Sequence, residues 1–213
     1  MNASTDVVLV HGLWMTGTEL FLLRRRLERA GFRVHRFRYS TVGASVAENA
    51  ARLFEFVKEL DVSTLHFVGY SLGGIVTLRM LAEHHHALPA GRVVFLGSPL
   101  HGSRAAAHLA KRRWGRRLLG RAIDAGLLDD HGMHWRHARE AAVIAGNRPM
   151  GLGLFTGALP EPNDGTVAVA EASIDGLPTA IVPATHVTLL FRQEVAALIA
   201  SFLSEGKLGQ AER

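Results

Sequence analysis

The chain of 213 residues contains no cysteine. Disulfide bonds, thiolate metal sites and thiol nucleophiles are therefore excluded. Aromatic residues are scarce, and no apolar run approaches the roughly 20 residues that a membrane-spanning helix needs. The first residues show no basic segment followed by an apolar stretch and a cleavage site, so we expect a cytoplasmic protein without a secretory leader.

Hydrophobic residues make up 48% of the chain, which is enough for one well-buried core and marginal for two. Because no repeat or linker is visible, we expect a single domain over residues 1–213. Short β-branched runs alternate with longer amphipathic stretches, which predicts an α/β fold with a mostly parallel sheet and helices on both faces. The predicted strands, about six, are Val7–Val10, Arg33–Phe37, Leu65–Val68, Arg92–Leu96, Ala142–Ala145 and Thr179–Val182. The predicted helices are Thr18–Ala30, Ser45–Leu60, Leu72–His85 and Leu189–Leu203.

One segment, residues 103–140, does not fit this alternation. It is rich in arginine and histidine, carries two tryptophans, and is longer than a simple crossover between strands requires. We expect it to form a helical excursion, or cap, over the carboxyl edge of the sheet.

The sequence GYSLG at residues 69–73 matches the pattern G-x-S-x-G. An apolar run precedes it and a helical pattern follows, which is the strand–turn–helix setting of a nucleophile elbow. Such a turn would place the Ser71 hydroxyl at the carboxyl edge of the sheet and at the positive end of a helix. We therefore predict that Ser71 is a nucleophile.

A serine hydroxyl needs a neighbouring base to act as a nucleophile at neutral pH. His186 follows the last predicted strand and precedes the last predicted helix, so it should lie at the same sheet edge as Ser71. His35 and His66 lie inside predicted strands, and the histidines at 84–86 end a helix far from the serine. His186 is the predicted base.

Where a nucleophile elbow carries the serine, the carboxylate that orients the histidine follows the serine and precedes the histidine in chain order. Asp164 lies in an Asn-Asp-Gly turn between two predicted strands. Since such turns are common without any catalytic role, three other acids stay open on this evidence: Glu161, Glu171 and Asp175.

Acyl transfer also requires hydrogen-bond donors for a developing oxyanion. One would be the backbone N–H of Leu72, directly after the nucleophile. The second is expected from the loop after the first strand, where Gly12 allows a sharp turn that leaves the Leu13 N–H free. His11 is expected to brace this loop by hydrogen bonding.

Five motifs, in the order LVHGL, GYSLGG, GSPLHGS, PNDGTV and ATHVTLL, span nearly the whole chain. Together they resemble the α/β-hydrolases of the lipase and esterase group. The resemblance implies the α/β-hydrolase fold and a triad of Ser71, Asp164 and His186, and it places Asp164 above the other acids. It also assigns an oxyanion N–H to Leu13. Many secreted lipases carry a leader and a cysteine pair; we expect no leader here, and the chain contains no cysteine.

These features predict the hydrolysis of carboxylic esters through an acyl-enzyme. An apolar pocket formed by Leu13, Trp14, Leu100 and Trp114 would favour a lipid or medium-chain ester, and no cofactor is expected. Thioesterase, amidase or acyltransferase chemistry on the same fold stays open, as does a non-catalytic lipid- or partner-binding module.

The net charge of +5 comes mostly from arginines on predicted helices. No nucleic-acid motif is present, so we expect no nucleic-acid partner. The basic stretch at 111–117 is interpreted first as a simple exposed helix end, and weak contact with an anionic membrane surface or with an acidic substrate stays open as the alternative. His131, His134 and His137 share the spacing of one helical face, but no carboxylate lies at ligand spacing, so we expect no metal site.

Overall fold

The computed structural model describes residues 5–124, 126–130, 135, 139–151 and 159–209. Its centre is a six-stranded sheet of order β2-β1-β3-β4-β5-β6, in which every neighbouring pair is parallel. The predicted fold class is confirmed, and each predicted strand is found with bounds that differ by at most two residues. The strands are β1 Asp6–Val10, β2 Arg33–Phe37, β3 Leu65–Tyr70, β4 Val93–Leu96, β5 Ala141–Gly146 and β6 Thr179–Val182.

The helices that the structure describes are α1 Phe21–Arg29, α2 Val46–Lys58, α3 Leu72–His84, α4 Arg104–Ala110, α5 Arg113–Leu119, α6 Val169–Ala172 and α7 Gln193–Glu205. The predicted helix Thr18–Ala30 divides into a 3₁₀ turn, Thr18–Leu20, and α1. The last predicted helix begins later than expected, because Thr188–Leu190 forms a separate 3₁₀ turn. None of the helices in the described part of the chain has both the length and the apolar character that crossing a membrane would require.

Two hydrophobic cores lie on the two faces of the sheet. Successive residues of a strand point to opposite faces, so Val7 and Leu9 of β1 contact one core while Val8 and Val10 contact the other. The first core contains α1 and α7, and the second contains α2 and α3. Because both faces are covered, the central strands are buried along their whole length, as expected for a parallel sheet.

The α4–α5 segment leaves the carboxyl end of β4 and approaches loops that leave the ends of β1 and β2. The carbonyl of Leu118 accepts a hydrogen bond from the Trp14 indole, at 2.9 Å. The Arg121 N–H donates to the carbonyl of Val42, at 2.8 Å. This part of residues 103–140 therefore lies at the carboxyl edge of the sheet, and its action as a cap or lid stays a prediction.

The first turn of α3 packs directly on the ends of two strands. A Cβ atom at Gly73 would overlap the carbonyl oxygen of Val10 in β1, and one at Gly69 would lie 2.5 Å from the Cα of Gly74. Both obstacles are backbone atoms, which cannot rotate away. Glycine at these positions therefore allows the helix to start immediately beside the sheet.

Replacing Gly73 with alanine should lower the free energy of unfolding by about 1–3 kcal/mol, because the added methyl group forces α3 away from β1. Urea denaturation measures this change. Gly209→Ala is the control, since a Cβ there would lie 3.5 Å from the Ser201 hydroxyl, an ordinary contact. Equal stability of the two variants would contradict the tight packing described for α3.

Candidate active site

Ser71 occupies the turn between β3 and α3, as the sequence predicts. Its backbone has φ 53° and ψ −123°, a region that residues with a side chain rarely adopt. The Ser71 N–H donates to the Leu96 carbonyl at 2.9 Å, which fixes the turn to β4. Strain of this kind costs on the order of 1–3 kcal/mol and is concentrated at functional sites.

His186 lies in the loop after β6, and its Nε2 atom is 3.0 Å from the Ser71 hydroxyl oxygen. The histidine is only 8% exposed. Its carbonyl accepts a hydrogen bond from the Tyr70 hydroxyl, and its ring centroid lies 5.0 Å from that of Tyr70. Gly97 passes so close that a Cβ there would lie 3.3 Å from the imidazole. Tyr70 on β3 and Gly97 after β4 thus fix the position of the imidazole.

Asp164 lies 2.6 Å from the other imidazole nitrogen, measured from Oδ2 to Nδ1 of His186. Its second oxygen accepts the N–H groups of Thr166 and Val167, at 2.9 and 2.7 Å. The carboxylate is 1% exposed. The His186 N–H donates to the Asp164 carbonyl, so the two loops are joined by backbone as well as by side chains.

The alternative acids lie elsewhere. Glu161 and Asp175 are exposed. Glu171 is buried, but its two oxygens accept the N–H groups of Arg104 and Ala168. Burial raises the pKa of Glu171, although these hydrogen bonds oppose that rise. Of the four acids considered, Asp164 is the one that contacts His186.

The tautomer of His186 follows from these partners. An ionised carboxylate only accepts hydrogen bonds, so His186 Nδ1 carries the proton that is donated to Asp164. The lone pair of Nε2 then faces the Ser71 hydroxyl and can accept its proton. Ser71, His186 and Asp164 thus form a continuous chain of hydrogen bonds in the orientation that acyl transfer requires.

The loop after β1 passes directly beside Ser71. A Cβ at Gly12 would lie 3.1 Å from the Cβ of Ser71. The Trp14 N–H donates to the Thr41 hydroxyl at 3.1 Å, and the Met15 N–H donates to the Gly12 carbonyl. The described residues supply no hydrogen-bond acceptor for the N–H of Leu13.

Leu72 is the first residue of α3, where a helix has no internal acceptor for the N–H. Two backbone donors, at Leu13 and Leu72, are therefore available in the segments that flank Ser71. Their assignment as oxyanion donors stays a prediction that this arrangement permits.

Aromatic stacking stabilises the loop after β1. His11 stacks on Tyr39 with the ring centroids 4.4 Å apart, and the Tyr39 hydroxyl donates to the His11 carbonyl at 2.6 Å. Burial lowers the pKa of His11, which keeps the imidazole neutral. The His11 Nδ1–H can donate to the Gly12 carbonyl, at 3.0 Å. This arrangement agrees with the bracing role expected for His11.

Sequence reasoning missed Tyr39, Thr41 and Tyr70 as neighbours of the site. Burial raises the pKa of both tyrosine hydroxyls, so each is a neutral hydrogen-bond donor. Tyr70 occupies the first variable position of G-x-S-x-G, so its place beside Ser71 in the motif could have identified it as a neighbour of the site. Tyr39 and Thr41 follow β2, and no local pattern connects them to the loop after β1.

The predicted pocket residues lie in different environments. Trp14 is 45% exposed, beside the loop that approaches Ser71, and Trp114 is 55% exposed on α5. Leu100 is fully buried in the core that contains α2 and α3. Their roles in binding a substrate stay predictions.

The three histidines at 131, 134 and 137 lie outside the described residues. Within the part of the chain that is described, no group of histidine, aspartate and glutamate side chains could hold a metal ion.

A parallel sheet with a serine in a strand–turn–helix elbow, followed in chain order by an aspartate and a histidine in later loops, defines the α/β-hydrolase fold. A family model described as the Alpha/beta hydrolase family matches residues 7–200. The chain therefore belongs to the α/β-hydrolase family, which confirms the resemblance noted in the sequence.

Solved structures agree on the fold. The chain is similar to the mature lipase BlEst2 of Bacillus licheniformis, with 21% identity, a TM-score of 0.70, and coverage of 96% of this chain and 92% of that one. It is also similar to the esterase EaEST of Exiguobacterium antarcticum, with 14% identity, a TM-score of 0.70, and coverage of 96% and 94%. The NocB thioesterase domain of the nocardicin cluster has 19% identity, a TM-score of 0.58, and coverage of 95% of both chains. No curated protein matches the chain.

The contact between His186 and Asp164 should be visible by proton NMR. We expect a far-downfield imidazole N–H resonance that exchanges slowly with water, because the proton lies in a short hydrogen bond to a buried carboxylate. Asp164→Ala should abolish it, whereas Asp175→Ala, which removes an exposed acid, should not. A resonance that survives in Asp164→Ala, with circular dichroism showing a folded protein, would contradict this pairing.

Proposed function

We propose that this protein is a serine hydrolase that cleaves carboxylic esters through an acyl-enzyme. The observation that carries the proposal is the hydrogen-bond chain from the Ser71 hydroxyl through His186 to Asp164. Each group is fixed by other contacts, so the serine and the base are oriented before any substrate binds. Preorganisation of this kind is a main source of catalysis in acyl transfer.

In the first half of the reaction, Ser71 Oγ attacks the ester carbonyl carbon while its proton passes to His186 Nε2. Asp164 stabilises the resulting imidazolium. The negative charge on the carbonyl oxygen is stabilised by the N–H groups of Leu13 and Leu72. The bond between the acyl carbon and the alcohol oxygen then breaks, and His186 returns the proton to the leaving alcohol.

In the second half, water replaces the alcohol. His186 removes a proton from this water as its oxygen attacks the acyl carbon, and the same donors stabilise the second oxyanion. The bond to Ser71 Oγ breaks, His186 protonates the serine oxygen, and a carboxylic acid leaves. No metal ion or cofactor is needed for any of these steps.

We expect the acyl part of the substrate to be apolar. Leu13 is partly buried against the core, and Trp14 is exposed in the loop beside the serine. Trp114 is a further proposed contact of the acyl chain, whereas Leu100 is fully buried and would have to become exposed to serve as one. Apolar side chains of this type favour lipid or medium-chain esters over small charged substrates, since they gain from burying methylene groups.

Thioester hydrolysis is the second candidate, because it would use the same acyl-enzyme with a thiol as leaving group. The structural similarity to the NocB thioesterase domain supports thioester hydrolysis as a candidate activity. Amide hydrolysis and acyl transfer to another acceptor use the same groups. Parallel assays with oxygen esters and thioesters of one acyl chain separate the first two candidates.

Ser71→Ala should lower kcat for p-nitrophenyl esters on the order of 10⁴–10⁶-fold, because the covalent route is lost. Spectrophotometric release of p-nitrophenol measures this loss. Ser204→Ala, which removes an exposed serine on α7, should keep full activity. Undiminished turnover in Ser71→Ala would exclude the mechanism.

A fluorophosphonate probe separates an enzyme from a non-catalytic binding module on the same scaffold. The wild-type protein should be labelled at Ser71, and Ser71→Ala should not be labelled. A wild-type protein that folds but fails to react would favour a binding module.

Thr41→Val should lower kcat by about tenfold with little change in KM. Valine has the same shape but cannot accept a hydrogen bond from the Trp14 N–H, so the loop should shift and the Leu13 N–H should lose its alignment. A partial effect is expected, because complete loss of one oxyanion donor lowers kcat by roughly 10²–10³-fold. Steady-state kinetics with one ester measure both constants. Thr16→Val, on the exposed side of the same loop, is the control. A change in KM alone would assign Thr41 to substrate binding instead.

A further inference from the structure

One short helix, α5, carries a dense positive charge. Among residues 104–123 there is no acidic side chain, while the surface of α5 and the residues before it present five exposed cations: Lys111, Arg112, Arg113, Arg116 and Arg117. None of the five has a carboxylate partner among the described residues. The neighbouring Arg104 and Arg121 do have such partners, in Glu171 and Glu48.

The spacing of these cations works against the helix. Arg112 and Arg116, like Arg113 and Arg117, are four residues apart, so like charges lie next to each other on successive turns. Arg112 and Arg113 also lie at the amino end of the helix, where positive charge is unfavourable. Arg116 and Arg117 lie in the last turn, where positive charge is favourable. The repulsion between like charges and the cations at the amino end are not offset by any ion pair to the five cations among the described residues, which points to a partner for this charge.

Exposed apolar side chains lie among the cations. Trp114 and Leu118 are four residues apart, and they are 55% and 49% exposed. The opposite side of the helix is in contact with α4, because a Cβ at Gly115 would overlap the Leu109 carbonyl. Trp114 and Leu118 therefore belong to the outer face of α5, together with the arginines.

This face is joined by a hydrogen bond to a loop of the candidate active site. The Leu118 carbonyl accepts the hydrogen bond of the Trp14 indole, and Trp14 follows the predicted oxyanion donor Leu13. Val187, the residue after His186, is itself 55% exposed. Exposed apolar groups thus occur on α5 and in two loops that carry the catalytic groups.

We propose that the outer face of α5 docks the protein on an anionic phospholipid bilayer, with the arginines at the phosphate groups and Trp114 and Leu118 in the interface. Tryptophan and arginine together are suited to the boundary between headgroups and acyl chains. Exposed aliphatic groups such as Leu118 and Val187 favour a bilayer over a nucleic acid, because they bury area in lipid but do not stack on bases. Docking in this orientation would bring the site near the lipid.

Vesicle co-sedimentation in the Ser71→Ala background tests the proposal without any hydrolysis of lipid. Because no catalysis is needed, its result is independent of the proposed function. We expect binding to vesicles of phosphatidylcholine with phosphatidylglycerol and much weaker binding to phosphatidylcholine alone. Raising the salt concentration to 1 M, where the screening length falls to about 3 Å, should release the protein.

Three sets of variants identify the surface. R113S/R116S/R117S should weaken binding to the anionic vesicles roughly a hundredfold, since each basic residue near such a surface contributes about fivefold. R113K/R116K/R117K keeps the charge and should retain most of the binding. Trp114→Ser should weaken binding on the order of tenfold, because the indole no longer enters the interface.

The matched control is R25S/R29S/R52S, which removes the same charge from exposed positions on α1 and α2. It should change the affinity by less than about threefold, well below the roughly fivefold per residue expected at the docking surface. An equal loss of affinity in both triple serine variants would show that net charge alone drives binding, and the proposal would be wrong.

Absence of binding to anionic vesicles would also overturn the proposal. A gel shift with single-stranded RNA that is lost in R113S/R116S/R117S would assign the outer face of α5 to nucleic acid.

Discussion

The close approach of α3 to the sheet is the constraint on which the site depends. Because Gly69 and Gly73 carry no side chain, the helix begins directly at the ends of β1 and β3, and the chain must reverse direction within the single residue Ser71. The strained backbone of Ser71, with its positive φ, is the result. Its hydroxyl is thereby placed at the amino end of α3, next to the N–H of Leu72, which has no acceptor within the helix.

The other two groups of the proposed triad depend on the sheet in a different way. His186 and Asp164 follow neighbouring strands, β6 and β5, and all strands run in one direction, so both loops emerge at the edge where Ser71 lies. The loops are joined by the backbone hydrogen bond from His186 to Asp164 and by the side-chain contact between them. The tautomer of the histidine is thus set by the fold before a substrate arrives.

Much of this arrangement could be predicted from sequence, because it rests on local patterns. The strand bounds, the elbow at Ser71 and the position of His186 follow from hydrophobic periodicity and sheet polarity. Asp164 needed the family resemblance, since an Asn-Asp-Gly turn has no unique chemical meaning. Contacts between distant loops, such as that between Trp14 and Thr41, depend on tertiary packing and leave no signature in either segment. For the same reason the burial of Leu100 could not be seen in advance.

Glu171 joins the loop that carries Asp164 to the beginning of α4, through a hydrogen bond to the backbone N–H of Arg104. Every amino acid except proline has that N–H, so this hydrogen bond does not depend on which residue occupies position 104. The inner side of the segment that follows is constrained, because Ala106, Ala110 and Leu119 are buried in the core that contains α2 and α3. For protein engineering, the exposed positions of α4 and α5 are therefore the ones to exchange: new side chains there should alter which surfaces and substrates the protein meets while the residues of the proposed triad keep their positions.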